Sequence, residues 1–206
     1  MLPLKKHPYR QIIGKIPELG CGYQMSGRKL DLYAAGMGYN MHDYGVTGEQ
    51  AVVKYRQLHP LIAGVYEGEK DGRHRFSGGL WYDLNQAVCT AISEYRKTYA
   101  GRCSFHMERG NLICTLPSGR RLVYRQATMA DVTNKVPWTV PPGKKVHAAS
   151  YVSARFGPKY LYGGSITENI VQAIARDILA AVIVRLEALG IRVLLHVHDE
   201  VVASIV

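Results

Sequence analysis

The stretch Ser165-Ile166-Thr167-Glu168-Asn169-Ile170-Val171-Gln172-Ala173-Ile174-Ala175-Arg176-Asp177, with Val197-His198-Asp199-Glu200-Val201 after it, decides the fold. Ser165 followed by Glu168 fits a capping box, which satisfies free N–H groups at a helix start. Ile170, Ile174, Ile178, Val182 and Leu186 then recur at about four-residue spacing, so one apolar stripe runs to about residue 189. Gly190 stands where a left-handed residue closes a helix. Beyond it the pattern predicts a strand over 191–197, a turn at His198-Asp199-Glu200 and a returning strand over 201–206. The expected unit is a helix packed on a β-hairpin that carries a carboxylate pair at its tip.

Upstream, residues 111–116 and 120–125 are two β-prone runs around Pro117-Ser118-Gly119, with Pro and Gly where a type I turn prefers them. Residues 134–147, with Pro137, Pro141, Pro142, Lys144 and Lys145, read as a basic loop or linker. Leu84, Ala87, Val88 and Ile92 share a face of a helix expected over 81–95. Residues 48–57 have helical periodicity closed by His59-Pro60, and residues 66–79, polar and Gly-rich, read as a loop. Residues 8–33 are expected to be helical in two pieces, interrupted by Gly20, Gly22 and Gly27. The fold class is therefore α+β.

The chain has 206 residues, 47% of them apolar and 20% charged, which excludes disordered, collagen-like and disulfide-scaffold classes. Its net charge of +10 favours a polyanionic partner. The charge is uneven: residues 1–60 carry eight basic and four acidic side chains, 61–164 fifteen and seven, and 165–206 three and five. Phosphates would meet the basic part and a cation the acidic end. The cysteines at 21, 89, 103 and 114 form no C-x-x-C pair, which excludes a zinc ribbon or a thioredoxin-like motif. The first residues lack the apolar run of a secretory signal, and the apolar run at 178–184 is too short to span a bilayer. The reading is a reduced, cytoplasmic protein with free thiols.

Three blocks in order resemble family A DNA polymerases of the bacteriophage branch: residues 10–23, Leu116-Pro117-Ser118-Gly119-Arg120 with the later Tyr162-Gly163-Gly164, and the stretch quoted first. The resemblance implies a fingers-like helical region over 1–109. It implies a palm-like region over 110–206, including the hairpin 191–206. The implied activity is DNA-directed DNA polymerisation, nucleotidyl transfer to a primer 3′-OH in DNA replication, in the host bacterial cytoplasm. The implied partners are primer–template DNA and a deoxynucleoside triphosphate, with no membrane.

Residue by residue, Asp199 resembles the family's second metal-binding aspartate, Glu200 its neighbouring acid and His198 the histidine beside the primer terminus. The implied cofactor is Mg2+ in a two-metal site, since hard cations take carboxylate oxygens. Asn169 and Gln172, three apart on one helix face, match positions that touch the minor groove, where every base pair offers acceptors. On the fingers helix Arg10 and Lys15 would neutralise triphosphate charge, Leu19 would pack near the sugar and Tyr23 near the templating base. Lys15, Leu19 and Tyr23 form one stripe if the helix is continuous.

Pro17 interrupts that helix at a cost of about 3 kcal/mol if it is regular, and Arg10 precedes Lys15 by five residues where the family has four. Either the helix starts near Ile16 or its first turn is irregular. The family's first catalytic aspartate, in an Asp-Tyr-Ser type strand, has no counterpart ahead of Arg10. Asp31, Asp43 and Asp83 lie downstream without that context. The expectation is a fragment with half the metal site, inactive alone, completed by an N-terminal polymerase portion. A polar stretch near 63–79 is longer than the family needs. Two other readings stand beside this one: a non-catalytic DNA-binding remnant or split-polymerase subunit, and a zinc, manganese or iron hydrolase using His196, His198 and Asp199.

Overall fold

The computed structural model describes residues 9–133 and 145–204. Residues 134–144 of the basic Pro-rich stretch, the first eight residues and the last two lie outside them. The fold is α+β, with every sheet antiparallel.

The first rod is helical from a π-helical turn, Arg10–Lys15, into α1, Ile16–Cys21. The Ile16 N–H donates to the carbonyl of Gln11, five residues back. Pro17 causes this. It has no N–H to offer, and its ring pushes away the carbonyl four residues earlier, so the helix widens by one residue ahead of it. Both expectations for this segment are met in part: the α-helix proper starts at Ile16, and the turn ahead of it is irregular. The widened turn also sets Arg10 and Lys15, five apart, about one turn apart.

Helix α2, Gly27–Gly36, starts on a Ser26 cap, and α3, Gly48–Leu58, on a Thr47–Gln50 capping box. The Asp31 carboxylate on α2 accepts the Gly48 N–H at 2.8 Å, so this acid fastens α3. Asp43 accepts from the Asn40 side chain. After the short α4, Pro60–Ala63, the stretch expected as a loop is a hairpin: β1, Val65–Lys70, and β2, Arg73–Ser77. Its turn residues Asp71 and Gly72 both have positive φ, the type I′ pattern that Asp-Gly favours.

Helix α5, Gly79–Glu94, joins two cores. Its Trp81 packs with Ile12, Ile16, Leu30, Met41 and Val52. Its Leu84, Val88, Ala91 and Ile92 pack with the four-stranded sheet β3 (Thr98–Ala100), β4 (Cys103–Glu108), β5 (Asn111–Thr115) and β6 (Arg121–Tyr124). Residues 109 and 110, where the sequence reading divides the chain, form the turn between β4 and β5. A three-stranded sheet follows: β7 (Thr128–Thr133), β8 (Lys145–Ser153) and β9 (Gly157–Tyr160). Residues 145–147, expected in the basic loop, therefore open β8. All four cysteines are free thiols, and burial pushes Cys21 and Cys114 up to about 12.

Helix α6, Gly163–Ala188, is capped at Tyr162, three residues before the expected Ser165 cap. Ser165 instead sits inside the first turn, where its hydroxyl oxygen accepts the Tyr162 N–H at 3.0 Å. The buried side of α6 ends at Ala173, and beyond it Ile178, Val182 and Val184 are exposed. Gly190 is left-handed, as expected. The strands β10, Arg192–Val197, and β11, Glu200–Ser204, pair antiparallel. They do not lie packed along the helix. Most of their side chains are exposed, and β10 is tied to the end of α6, where the Val193 N–H donates to Glu187 Oε1 at 2.6 Å. No described helix is long and apolar enough to cross a membrane.

Candidate nucleic-acid interface

The junction of the two cores is built on glycine. A Cβ on Gly163 would strike the Trp81 backbone, and one on Gly164 the Tyr23 backbone. The Gly164 N–H donates to Gln24 Oε1 at 2.8 Å. The Tyr162-Gly163-Gly164 motif thus lets the start of α6 sit directly against α5 and against the turn at 22–24. That turn ends α1, so Tyr23 leaves the helix: the stripe of Lys15 and Leu19 stops at Cys21, and Tyr23 is half-buried beside α6. Arg10, Lys15 and Leu19 are exposed, whereas Ile12 and Ile16 are buried.

Along α6, Asn169 and Gln172 share one face with Arg176, as their spacing requires. Asn169 Nδ2 donates to the Tyr124 hydroxyl at 3.2 Å, and Gln172 Nε2 to Glu168 Oε1 at 3.3 Å. Burial pushes the Tyr124 hydroxyl well above the usual range, so it stays protonated. Two recesses meet at Asn169 and Tyr151. One, about 400 Å3, adds Lys29, Lys159, Tyr160 and Glu168. The other, about 410 Å3, adds Arg120, Gln172 and Arg176. Together they form a cationic, aromatic and amide-lined surface. Cations there can neutralise phosphates, and amides can donate to base-edge acceptors. Lys29, Tyr151 and Lys159 carry no local signal in the sequence, because tertiary packing alone brings α2 and β8–β9 to α6.

The Leu116-Pro117-Ser118-Gly119-Arg120 turn fixes this face. Ser118 Oγ donates to Asp177 Oδ2 at 2.6 Å and Arg120 Nε to Asp177 Oδ1 at 2.5 Å. Arg120 also donates to the Ala173 carbonyl at 2.7 Å. The Ser118 hydrogen bond, aided by Arg120, holds the Asp177 carboxyl below the usual carboxylate range. A lowered folded-state pKa contributes stability above the unfolded value of about 3.9, lost as pH falls through the folded value. Asp177→Asn is therefore expected to be less stable than the parent at pH 7. The gap between their urea midpoints should close as pH approaches 3, and a constant gap would remove the carboxylate from the account.

At the hairpin tip Val197 pairs with Glu200, so the turn has two residues, His198 and Asp199. His198 has φ +53°, and its side chain and those of Asp199 and Glu200 are exposed. Glu200 is the first residue of β11 rather than part of the turn. His198 lies beyond β10, so it does not share a strand face with His196, and no group of three or more His, Cys, Asp or Glu side chains that could hold a metal occurs among the described residues. That removes the geometric basis of the hydrolase reading. Mg2+ commonly takes one or two carboxylates and completes its shell with water and substrate phosphates. An exposed Asp199 at a two-residue turn fits one such ligand.

No family model and no solved structure match the chain. Its sequence is similar to a protein named DNA polymerase from Bacillus phage SP02, 33% identical over 208 aligned residues. The match covers 98% of this chain and 28% of that protein, so the chain spans under a third of its relative's length.

Proposed function

We propose that the chain is a segment of a phage-type, family A DNA-directed DNA polymerase that holds primer–template DNA and the incoming nucleotide. The observation that carries this reading is the joined recess on α6. The amides of Asn169 and Gln172 lie there between Lys29 and Lys159 on one side and Arg120 and Arg176 on the other. The similarity to a phage protein named DNA polymerase, over nearly the whole chain, supports it.

In this reading the cations track the phosphate backbone while the two amides test base-pair shape through minor-groove acceptors. Arg10 and Lys15, brought one turn apart by the π-helical turn, face the triphosphate. Leu19 and Tyr23 bound the sugar and the templating base. Asp199 is a Mg2+ ligand, with Glu200 beside it and His198 near the primer end. When bound, Mg2+ supplies charge neutralisation at the attacking and leaving oxygens. The other catalytic aspartate comes from an N-terminal polymerase portion, so this chain binds DNA without extending it.

The test is fluorescence anisotropy with a labelled primer–template over a salt series. Binding should weaken linearly on a log–log salt plot. Asn169→Ala/Gln172→Ala should weaken it about tenfold, as expected for two hydrogen bonds of roughly 0.5–1.5 kcal/mol each, without changing the slope. Lys159→Gln and Arg176→Gln should each lower the slope by about one. A chain with no salt-dependent DNA affinity would overturn the reading.

A further inference from the structure

The β1–β2 hairpin stands apart from the interface described above. With α3 and α5 it encloses a recess of about 280 Å3 lined by Arg56, Arg73, Arg75, Gln24, Tyr82 and Asn85. Among the described residues, no carboxylate lines it. Arg73 and Arg75 form no ion pair among the described residues. Arg56 lies over the rings of Phe76 and Trp81, 5.8 Å from each centroid, which sets its planar head at the wall of the recess.

The neutral groups are donors too. The Tyr82 hydroxyl oxygen accepts from Gln86 Nε2 at 3.1 Å, leaving its own proton to give. Gln24 uses its Oε1 on Gly164, leaving its amide N–H groups. Trp81 forms another wall of the recess through its ring. The guanidinium forks of Arg73 and Arg75, the partly engaged Arg56, which also donates to the Met25 carbonyl, and the donors of Tyr82 and Gln24 surround one small space, which matches the chemistry of a phosphate group.

We propose that this recess binds a backbone phosphate of a nucleic-acid strand, so that the β1–β2 hairpin clamps the strand at the junction of the two cores. The proposal rests on the DNA-binding reading for its choice of a strand over a free phosphate. Tyr162 links the two surfaces, since it lines both this recess and the one holding Asn169.

The test is Arg73→Gln/Arg75→Gln in the full chain, on a hairpin whose two arginines hold no other element. Its charge-matched control is Arg96→Gln/Lys97→Gln at the far end of α5, about 20 Å away along the helix. Anisotropy with primer–template and with single-stranded DNA should show affinity falling about tenfold for the hairpin variant. The salt slope should fall by about one to two, while the control stays near the parent in slope. If the parent binds DNA and the hairpin variant matches it in affinity and slope, the clamp is wrong and the DNA reading stands. If the parent binds no DNA, both fall. If inorganic phosphate or a deoxynucleoside triphosphate alone quenches tryptophan emission in the parent but not in the hairpin variant, the occupant is free phosphate and the strand assignment is overturned.

Discussion

Phe105→Ala is expected to destabilise the chain by about 3–5 kcal/mol, the range for emptying a buried aromatic site. Phe105 is fully buried on β4, opposite Cys114 on β5 and Thr98 on β3. It belongs to the core that α5 and α6 close from the same body of side chains. Both helices are anchored elsewhere, α5 through Trp81 and α6 through its glycine start, so neither can slide in to fill the void. The measurement is the urea midpoint at constant m-value. Phe156→Ala, at an exposed ring, should stay within about 0.5 kcal/mol of the parent. A loss below about 1 kcal/mol at Phe105 would mean that the core is loosely packed. Most domains hold only about 5–15 kcal/mol in reserve, so the expected loss brings this one near its threshold.

Gly164→Ala and Gly163→Ala should each cost about 2–3 kcal/mol, the usual penalty for forcing atoms into filled space, or more. The obstacle in both cases is backbone: the carbonyl of Tyr23 for one and of Trp81 for the other. A side chain could rotate away, but these carbonyls belong to a turn and a helix that would have to move bodily. Gly36→Ala is the contrast, since a Cβ there meets nothing within 4 Å and gains helix propensity. Thermal unfolding ranks the three. The two junction variants should also lose DNA affinity out of proportion to their fold content, because pushing α6 off α5 or off the 22–24 turn moves Asn169 relative to Lys29. Equal melting temperatures for Gly164→Ala and Gly36→Ala would refute the close-packed junction.

What the chain reveals before folding is what it encodes locally. The helical run of α6, the left-handed Gly190, the helix over 48–57 and the Pro117-Ser118-Gly119 turn all depend on neighbours within a few residues. Each stands close to its expected place. The capping box at Ser165 misled because Gly163 and Gly164 can enter a helix once α5 and the 22–24 turn fill the space beside them. The β1–β2 hairpin was hidden by composition. Its strands bury no continuous face, so alternation is absent, although Asp71-Gly72 is a strong turn signal. Pro17 announced an irregular helix without saying how the irregularity would resolve. At the interface, Asn169 and Gln172 were legible because a helix fixes their spacing. Asp177 was visible only as a helix residue, since its partners Ser118 and Arg120 lie more than fifty residues away. Lys29 and Lys159 were invisible as site residues for the same reason.

The half-anchored helix α6 has a mechanical corollary. A beam clamped at one end transmits little stiffness to its free end, and here the buried side ends at Ala173 and the tie to Ser118 and Arg120 at Asp177, while the beam continues to Ala188 and then the ribbon. Amide protons in the ribbon should exchange through brief local openings, those near the clamp only when the whole domain opens. The carboxylate at position 199 therefore rides on an exposed ribbon tied to the rest of the fold through the end of α6.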